Sequence, residues 1–179
     1  ILVQDKQVIN AGDLIAKIPR GLGKTRDITG ERLTTDGVAK LLAGSLESTF
    51  MREAESKDAF RISLAGAQEK TALLWNKGKW LRPTGTTPTT HILKLPLGIN
   101  PQGIDLSTSV ENEWLCAQIV GAYGIDVAAC RMENFGEFKT LVVERFDRRL
   151  ASGGKWYLRL PQEDLCQATA TPPALKYES

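Results

Sequence analysis

Hydrophobic and polar positions fall into two rhythms along the chain: twofold alternation, which marks half-buried strands, and three-to-four-residue spacing, which marks helices. Alternation runs through Phe60-Arg61-Ile62-Ser63-Leu64, stops at the small run Ala65-Gly66-Ala67, and gives way to an apolar stretch over residues 71–75. That predicts strand, tight loop, strand. Asn76-Lys77-Gly78-Lys79 predicts a turn into a further strand, Trp80-Leu81-Arg82-Pro83. In His91-Ile92-Leu93-Lys94-Leu95-Pro96 the alternation puts His91, Leu93 and Leu95 on one face and Ile92, Lys94 and Pro96 on the other. Residues 127–132 and 139–146 predict an antiparallel pair around Asn134-Phe135-Gly136, and residues 156–160 a last strand after a Gly-rich turn.

Helical spacing begins at Thr34. Thr34, Thr35 or Asp36 can cap, and Val38, Leu41, Leu42 and Leu46 share one face. Residues 98–105 predict a loop. Thr108-Ser109-Val110-Glu111 then predicts a capping box, opening a helix over 109–123 with a stripe of Val110, Trp114, Ala117, Val120 and Gly121, stopped by Gly124. Pro161-Gln162-Glu163-Asp164 predicts another helix start. The expected fold is α+β: an antiparallel sheet of about five strands with one main helix, preceded by a β-rich N-terminal appendage.

The totals narrow the function classes. A length of 179 residues suits one modest domain, or a domain with an appendage, and 42% hydrophobic content is enough for a core. With 23 basic and 21 acidic residues and no basic run, no direct nucleic-acid binding is expected. No stretch reads as a membrane span or signal peptide, so the expected location is cytoplasmic. Cys116, Cys130 and Cys166 lack metal-site spacing, and a single histidine, His91, leaves no histidine-based metal or triad site. A chain starting at Ile1 rather than Met is expected to be cut from something longer, or processed.

Residues 1–30 behave differently from the rest. Gly21-Leu22-Gly23-Lys24-Thr25 ends like a phosphate-binding P-loop, but Ile18 stands where that pattern needs its first glycine, and no helix follows. Val8-Ile9-Asn10-Ala11-Gly12-Asp13-Leu14-Ile15-Ala16-Lys17-Ile18-Pro19-Arg20 with Lys24-Thr25-Arg26-Asp27-Ile28-Thr29-Gly30 resembles a piece of the bacterial RNA polymerase β′ subunit, without that subunit's metal-binding aspartates. The segment is set apart as an appendage to residues 31–179.

The remaining order of strands, helix and strands is that of a protein-kinase small lobe. Such a lobe needs a backbone loop over phosphates, a strand lysine, and an acidic helix residue to orient it. Ala65, Gly66, Ala67, Gln68, Glu69 and Lys70 offer the loop, since nothing bulky keeps a ligand from their backbone N–H groups; the same run also fits a plain hairpin turn. Lys94 offers the lysine, against its reading as an edge lysine in solvent. Glu111 or Glu113 offers the partner, and the capping duty expected of Glu111 favours Glu113. The backbone from Glu144 through Arg145 to Phe146, where a strand leaves the core, can meet an adenine; a simple charged strand end is the alternative.

Beyond these elements, residues 60–74, Thr87-Pro88-Thr89-Thr90-His91-Ile92-Leu93-Lys94-Leu95-Pro96, Val143-Glu144-Arg145-Phe146-Asp147-Arg148-Arg149, Leu158-Arg159-Leu160-Pro161-Gln162-Glu163-Asp164 and Lys176-Tyr177-Glu178-Ser179 together resemble the HipA family, the serine/threonine kinase toxins of bacterial toxin–antitoxin modules. The resemblance covers about 31–179. It implies ATP and Mg2+ at Ala65–Lys70, Lys94 and Glu144–Phe146, and autophosphorylation at Ser63. It also implies a HipB-like antitoxin as partner and glutamyl-tRNA synthetase as substrate. The family's catalytic Asp-Gly-His-x-x-Asn motif does not occur in the chain. The expectation is therefore an ATP-binding lobe, truncated before the catalytic large lobe and inactive alone. The alternative is a non-catalytic remnant lobe that binds an antitoxin or partner chain.

Overall fold

The computed structural model describes residues 28–50, 68–172 and 175. The strand expected at 60–64, the loop residues Ala65, Gly66 and Ala67, and Ser63 lie outside the described residues, as does nearly all of the appendage.

Among the described residues, six strands form one antiparallel sheet. In chain order they are β1 (Gly30–Arg32), β2 (Lys70–Asn76), β3 (Lys79–Pro83), β4 (His91–Lys94), then, after a short hairpin of β5 (Gly98–Ile99) and β6 (Asp105–Leu106), β7 (Cys130–Phe135) and β8 (Phe138–Glu144). Their spatial order is β1-β3-β2-β4-β8-β7. Where about five strands were expected, β1 adds a sixth: it runs across the 30/31 boundary and pairs Gly30 with Pro83 and Arg32 with Leu81. The close fit there needs glycine, because a Cβ on Gly30 would come within 2.8 Å of the Arg82 carbonyl oxygen. The β2–β3 turn uses Lys77 (φ 49°) and Gly78 (φ 74°), the pair of positive angles that matches the twist of a two-residue hairpin. The loop expected over 98–105 contains the β5–β6 pair. A second two-stranded ribbon, β9 (Arg148–Leu150) with β10 (Tyr157–Arg159), follows the sheet.

Among the described residues, two long helices flank the sheet where one main helix was expected. α1 (Thr35–Phe50) places Val38 and Leu42 in a buried cluster with Leu73, Trp80, Leu93, Leu95, Phe135 and Val142. These sheet residues share one face by the twofold alternation. α2 (Ser109–Ala122) lies on the opposite face, since its glutamates reach Lys94 and Lys139, whose neighbours in register are on that side. A third helix, α3 (Leu165–Ala168), opens on a capping box between Asp164 and Gln167.

Two features of α2 differ from expectation. Thr108 makes no side-chain cap bond, and Glu111 instead binds Lys139 of β8. Ser109 Oγ accepts the Leu97 N–H at 3.0 Å, so the first turn is tied by tertiary contacts where a local box was expected. Of the expected stripe only Val110 is buried; Trp114 and Val120 are exposed, as are Leu115 and Ile119 outside the stripe. Beyond the buried Val110 of its first turn, the apolar side chains of α2 are only partly covered by the described residues. Gly124 does end the helix region, at φ 76°.

His91, the one histidine of the chain, is buried at the start of β4. Its Nδ1 pairs with Thr90 Oγ1 at 2.9 Å, and the Trp80 ring stands edge-on 5.3 Å away. Burial, reinforced by the nearby Arg131 cation, lowers its pKa to about 4. The folded state therefore prefers the neutral ring, and the unfolded chain binds the extra proton between the unfolded pKa near 6.5 and the folded value. This contribution to stability is complete above pH 6.5 and is lost as pH falls through 4. After allowing for partial hydration it amounts to roughly 2 kcal/mol. Urea unfolding at pH 7.0 and 5.0 should show the loss, and a His91→Asn variant should lack the slope in that window.

Candidate nucleotide-binding site

The alternation of β4 sends His91 and Leu93 into the α1 core and leaves Lys94 on the α2 side. Lys94 Nζ lies 2.5 Å from Glu113 Oε1 of α2, while Glu111 is occupied by Lys139. The lysine and Glu113 side chains retain 24% and 40% exposure, so the pair lines an accessible surface rather than a sealed core. Lys70 of β2 is directly opposite Lys94 in register, which puts two ammonium groups side by side on one face. Burial and then the Lys94 charge lower the Lys70 pKa, and Lys70 Nζ donates to the Gln68 carbonyl at 2.7 Å. The Gln68 side-chain amide donates to the Leu95 carbonyl at 2.8 Å, and the Leu95 N–H to the Glu69 carbonyl at 3.0 Å. The described end of the expected loop, Gln68-Glu69-Lys70, is thus fastened to the end of β4 beside Lys94.

Cys130 of β7 faces the same side. Its pKa is raised by burial and then by the Glu113 charge, with Lys94 opposing. Nothing in the spacing of the three cysteines had marked it as a neighbour of the ion pair.

The other end of β4 meets the exit of β8, where His91 pairs with Glu144. Three strand residues, ~10 Å, separate that register position from Lys94. Within the expected adenine-contact stretch, two donors are already used. The Glu144 N–H donates to the Ala129 carbonyl at 2.8 Å and the Arg145 N–H to the Thr90 carbonyl at 2.9 Å. The Phe146 N–H makes no hydrogen bond among the described residues, and Phe146 is 70% exposed.

Behind Phe146 lies a buried charged cluster that the sequence showed only as a charged strand end. Asp147, 4% exposed, takes Arg145 Nε and Nη2 at 3.0 Å each and Arg148 Nη1 at 2.5 Å. Arg145 Nη1 reaches Thr89 Oγ1 at 3.2 Å, and Arg148 Nε the Thr89 carbonyl at 3.1 Å. Burial pushes the Asp147 carboxyl up, but the two guanidinium groups outweigh it and hold it below the usual range. For Arg148, burial and then the Arg145 charge lower the pKa.

The donor set fits an anionic nucleotide in part. Two lysines on one face suit phosphates, and an unused N–H at the strand exit suits a ring nitrogen of a base. A magnesium site does not follow from it: among the described residues no cluster of three or more His, Cys, Asp or Glu could hold a metal ion, and Glu113 and Asp147 already face cations.

Comparison with known proteins identifies the family of the chain. Residues 62–179 match the family described as HipA-like C-terminal domain, and the chain belongs to that family. It is 34% identical over 179 residues, its entire length and residues 1–30 included, to the putative kinase Y4mE of Sinorhizobium fredii, of which it covers 38%. It is 35% identical over 118 residues, 66% of the chain, to the serine/threonine-protein kinase toxin HipA of Shewanella oneidensis, of which it covers 25%. A chain of the Shewanella oneidensis complex of HipA, HipB and operator DNA superposes with a TM-score of 0.61 at 28% identity, over 90% of this chain and 35% of that one. The chain therefore spans between 25% and 38% of the length of these relatives. The neighbour's operator DNA lends no support to the expectation that nucleic acid plays no direct part. Among the described residues no helix is long and apolar enough to cross a membrane.

Proposed function

We propose that this chain is the nucleotide-binding small lobe of a HipA-type serine/threonine protein kinase, the toxin of a toxin–antitoxin pair. The observation that carries the reading is the Lys94–Glu113 pair, which joins a central strand to the helix that follows it within a HipA-family chain. In kinases such a pair fixes a lysine against nucleotide phosphates. Lys70 would add a second cation, the Gln68–Lys70 backbone would close the phosphate end, and Phe146 N–H would meet the adenine. When bound, ATP supplies the phosphoryl group; these residues bind and orient it. Glu113 and Asp147 are both engaged with cations, so neither is proposed as the base that takes a proton from a hydroxyl substrate. Ser63 is the proposed autophosphorylation site, glutamyl-tRNA synthetase the proposed substrate, and a HipB-like protein the proposed antitoxin, all on the family resemblance.

The test is a calorimetric titration of the chain with MgATP, repeated with Glu113→Gln. Loss of the orienting charge should weaken binding by roughly 3- to 10-fold, the value of one partly exposed charged hydrogen bond. An absence of saturable ATP binding in the unsubstituted chain would overturn the reading.

A further inference from the structure

The exit of β8 is a tight turn held at both ends by one side chain. Arg145, Phe146, Asp147 and Arg148 occupy its four positions, closed by the Arg148 N–H to the Arg145 carbonyl at 3.3 Å. Asp147, the third residue, pairs through its carboxylate with the guanidinium groups of the first and the fourth. Its own carbonyl accepts the Leu160 N–H at 2.9 Å and Arg148 Nη1 at 2.9 Å, which ties the turn to β10. The two arginines reach back to Thr89, in the loop that enters β4. Phe146, the second residue, is thereby held at the tip, and its N–H makes no hydrogen bond among the described residues.

We propose that Asp147 is a positioning residue for nucleobase recognition: by clamping Arg145 and Arg148 it fixes the Phe146 N–H as a donor that selects a base with an unprotonated ring nitrogen, adenine over guanine. This rests on the nucleotide-binding reading above and adds base selectivity to it. Adenine N1 accepts a hydrogen bond, whereas guanine N1 carries a proton and would oppose the Phe146 N–H donor to donor. The clamp does not face the phosphate end. Lys94 and Lys70 lie at the far end of β4 and depend on Glu113 and Gln68 instead. Base recognition and phosphate binding should therefore be separable by substitution.

The clamp also explains a buried excess of positive charge. Two nearly buried arginines share one carboxylate, and hydrogen bonds to Thr89 satisfy further donors without neutralising them. Burying charge in this way is costly unless every group is bound. The cost buys a turn that cannot relax without breaking several charged hydrogen bonds at once.

The experiment measures binding of MgATP, MgGTP and inorganic tripolyphosphate to the full chain, to Asp147→Asn and to Arg145→Gln, with thermal melting as the check on folding. Arg145→Gln leaves Arg148–Asp147 as a neutral pair, so it loosens the clamp next to Phe146 without stranding a buried carboxylate. The expected result for each folded variant is a loss of roughly tenfold in ATP affinity, one directed hydrogen bond. The preference for ATP over GTP should shrink and tripolyphosphate affinity should stay unchanged. If Asp147→Asn does not fold, the Arg145→Gln profile decides. Equal losses for ATP and tripolyphosphate, or unchanged ATP affinity and preference in a folded variant, overturn the positioning role while leaving nucleotide binding intact. A parent chain that binds neither ATP nor tripolyphosphate overturns the nucleotide reading and the clamp's role together.

Discussion

Replacing Lys94 with methionine should lower ATP affinity by roughly 10- to 100-fold while leaving the fold in place. The ammonium is the charged group best placed for phosphate, and a hydrogen bond between charged partners is worth ~1.5–3 kcal/mol. Methionine keeps the apolar stem that crosses the sheet face. The ion pair with Glu113 contributes little to folding, because 24% and 40% exposure leaves both side chains hydrated, and such pairs are worth ~0–1 kcal/mol. The melting temperature should move by only a few degrees. Fluorescent-nucleotide displacement on the parent and Lys94→Met chains reads the affinity, and circular dichroism the fold. An unchanged affinity would remove Lys94 from the site and, with it, the kinase-like reading of β4 and α2.

Truncating Phe135 to alanine should have the opposite profile, a large loss of stability. Phe135 is 2% exposed at the end of β7, with the Trp80 ring 6.0 Å from its own and Val38, Leu42 and Leu73 in the same cluster. It pairs with Phe138 across the hairpin turn at Gly136, so the packed ring also anchors the β7–β8 register. Removing a fully buried aromatic ring costs ~3–5 kcal/mol, from lost burial and from the cavity left behind. That is a large share of the ~5–15 kcal/mol that holds a domain of this kind together. Urea unfolding monitored by tryptophan fluorescence should show the midpoint fall. Leu165→Ala, at an 82% exposed site, should stay within about 0.5 kcal/mol of the parent.

Much of the sheet was legible because alternation is a local signal with a global consequence. Once His91 and Leu93 were assigned to one face of β4, Lys94 had to emerge on the other, and the structure puts it there against α2. Val38 and Leu42 were legible for the same reason at helical spacing. What the sequence hid depends on partners far along the chain. Thr108 and Glu111 have the spacing of a capping box, but Lys139, 28 residues on, competes for the glutamate and wins. The stripe on α2 is apolar by periodicity, yet periodicity does not say what covers it. Asp147 looked like one of several charges at a strand end. Its burial follows from a turn that brings Arg145 and Arg148 onto one carboxylate, and residue spacing alone does not reveal that closure.

The order of the strands also governs how the molecule assembles. β2 and β3 form one local hairpin, with β4 returning to the other side of β2, and β7 and β8 form a second hairpin, whereas β4 and β8 join only after the intervening chain with α2 has closed. Pairings of that sequence separation form late, because the loop entropy is lost before the contact repays it. The Lys94–Glu113 pair, the Arg145–Thr89 bond and the clamped turn all depend on that seam or on the helix that spans it. The site should thus be completed late in folding, after the two hairpins have formed. A ligand that holds the seam shut would act mainly on the unfolding rate, prolonging the native state's lifetime more than it speeds the chain's arrival there.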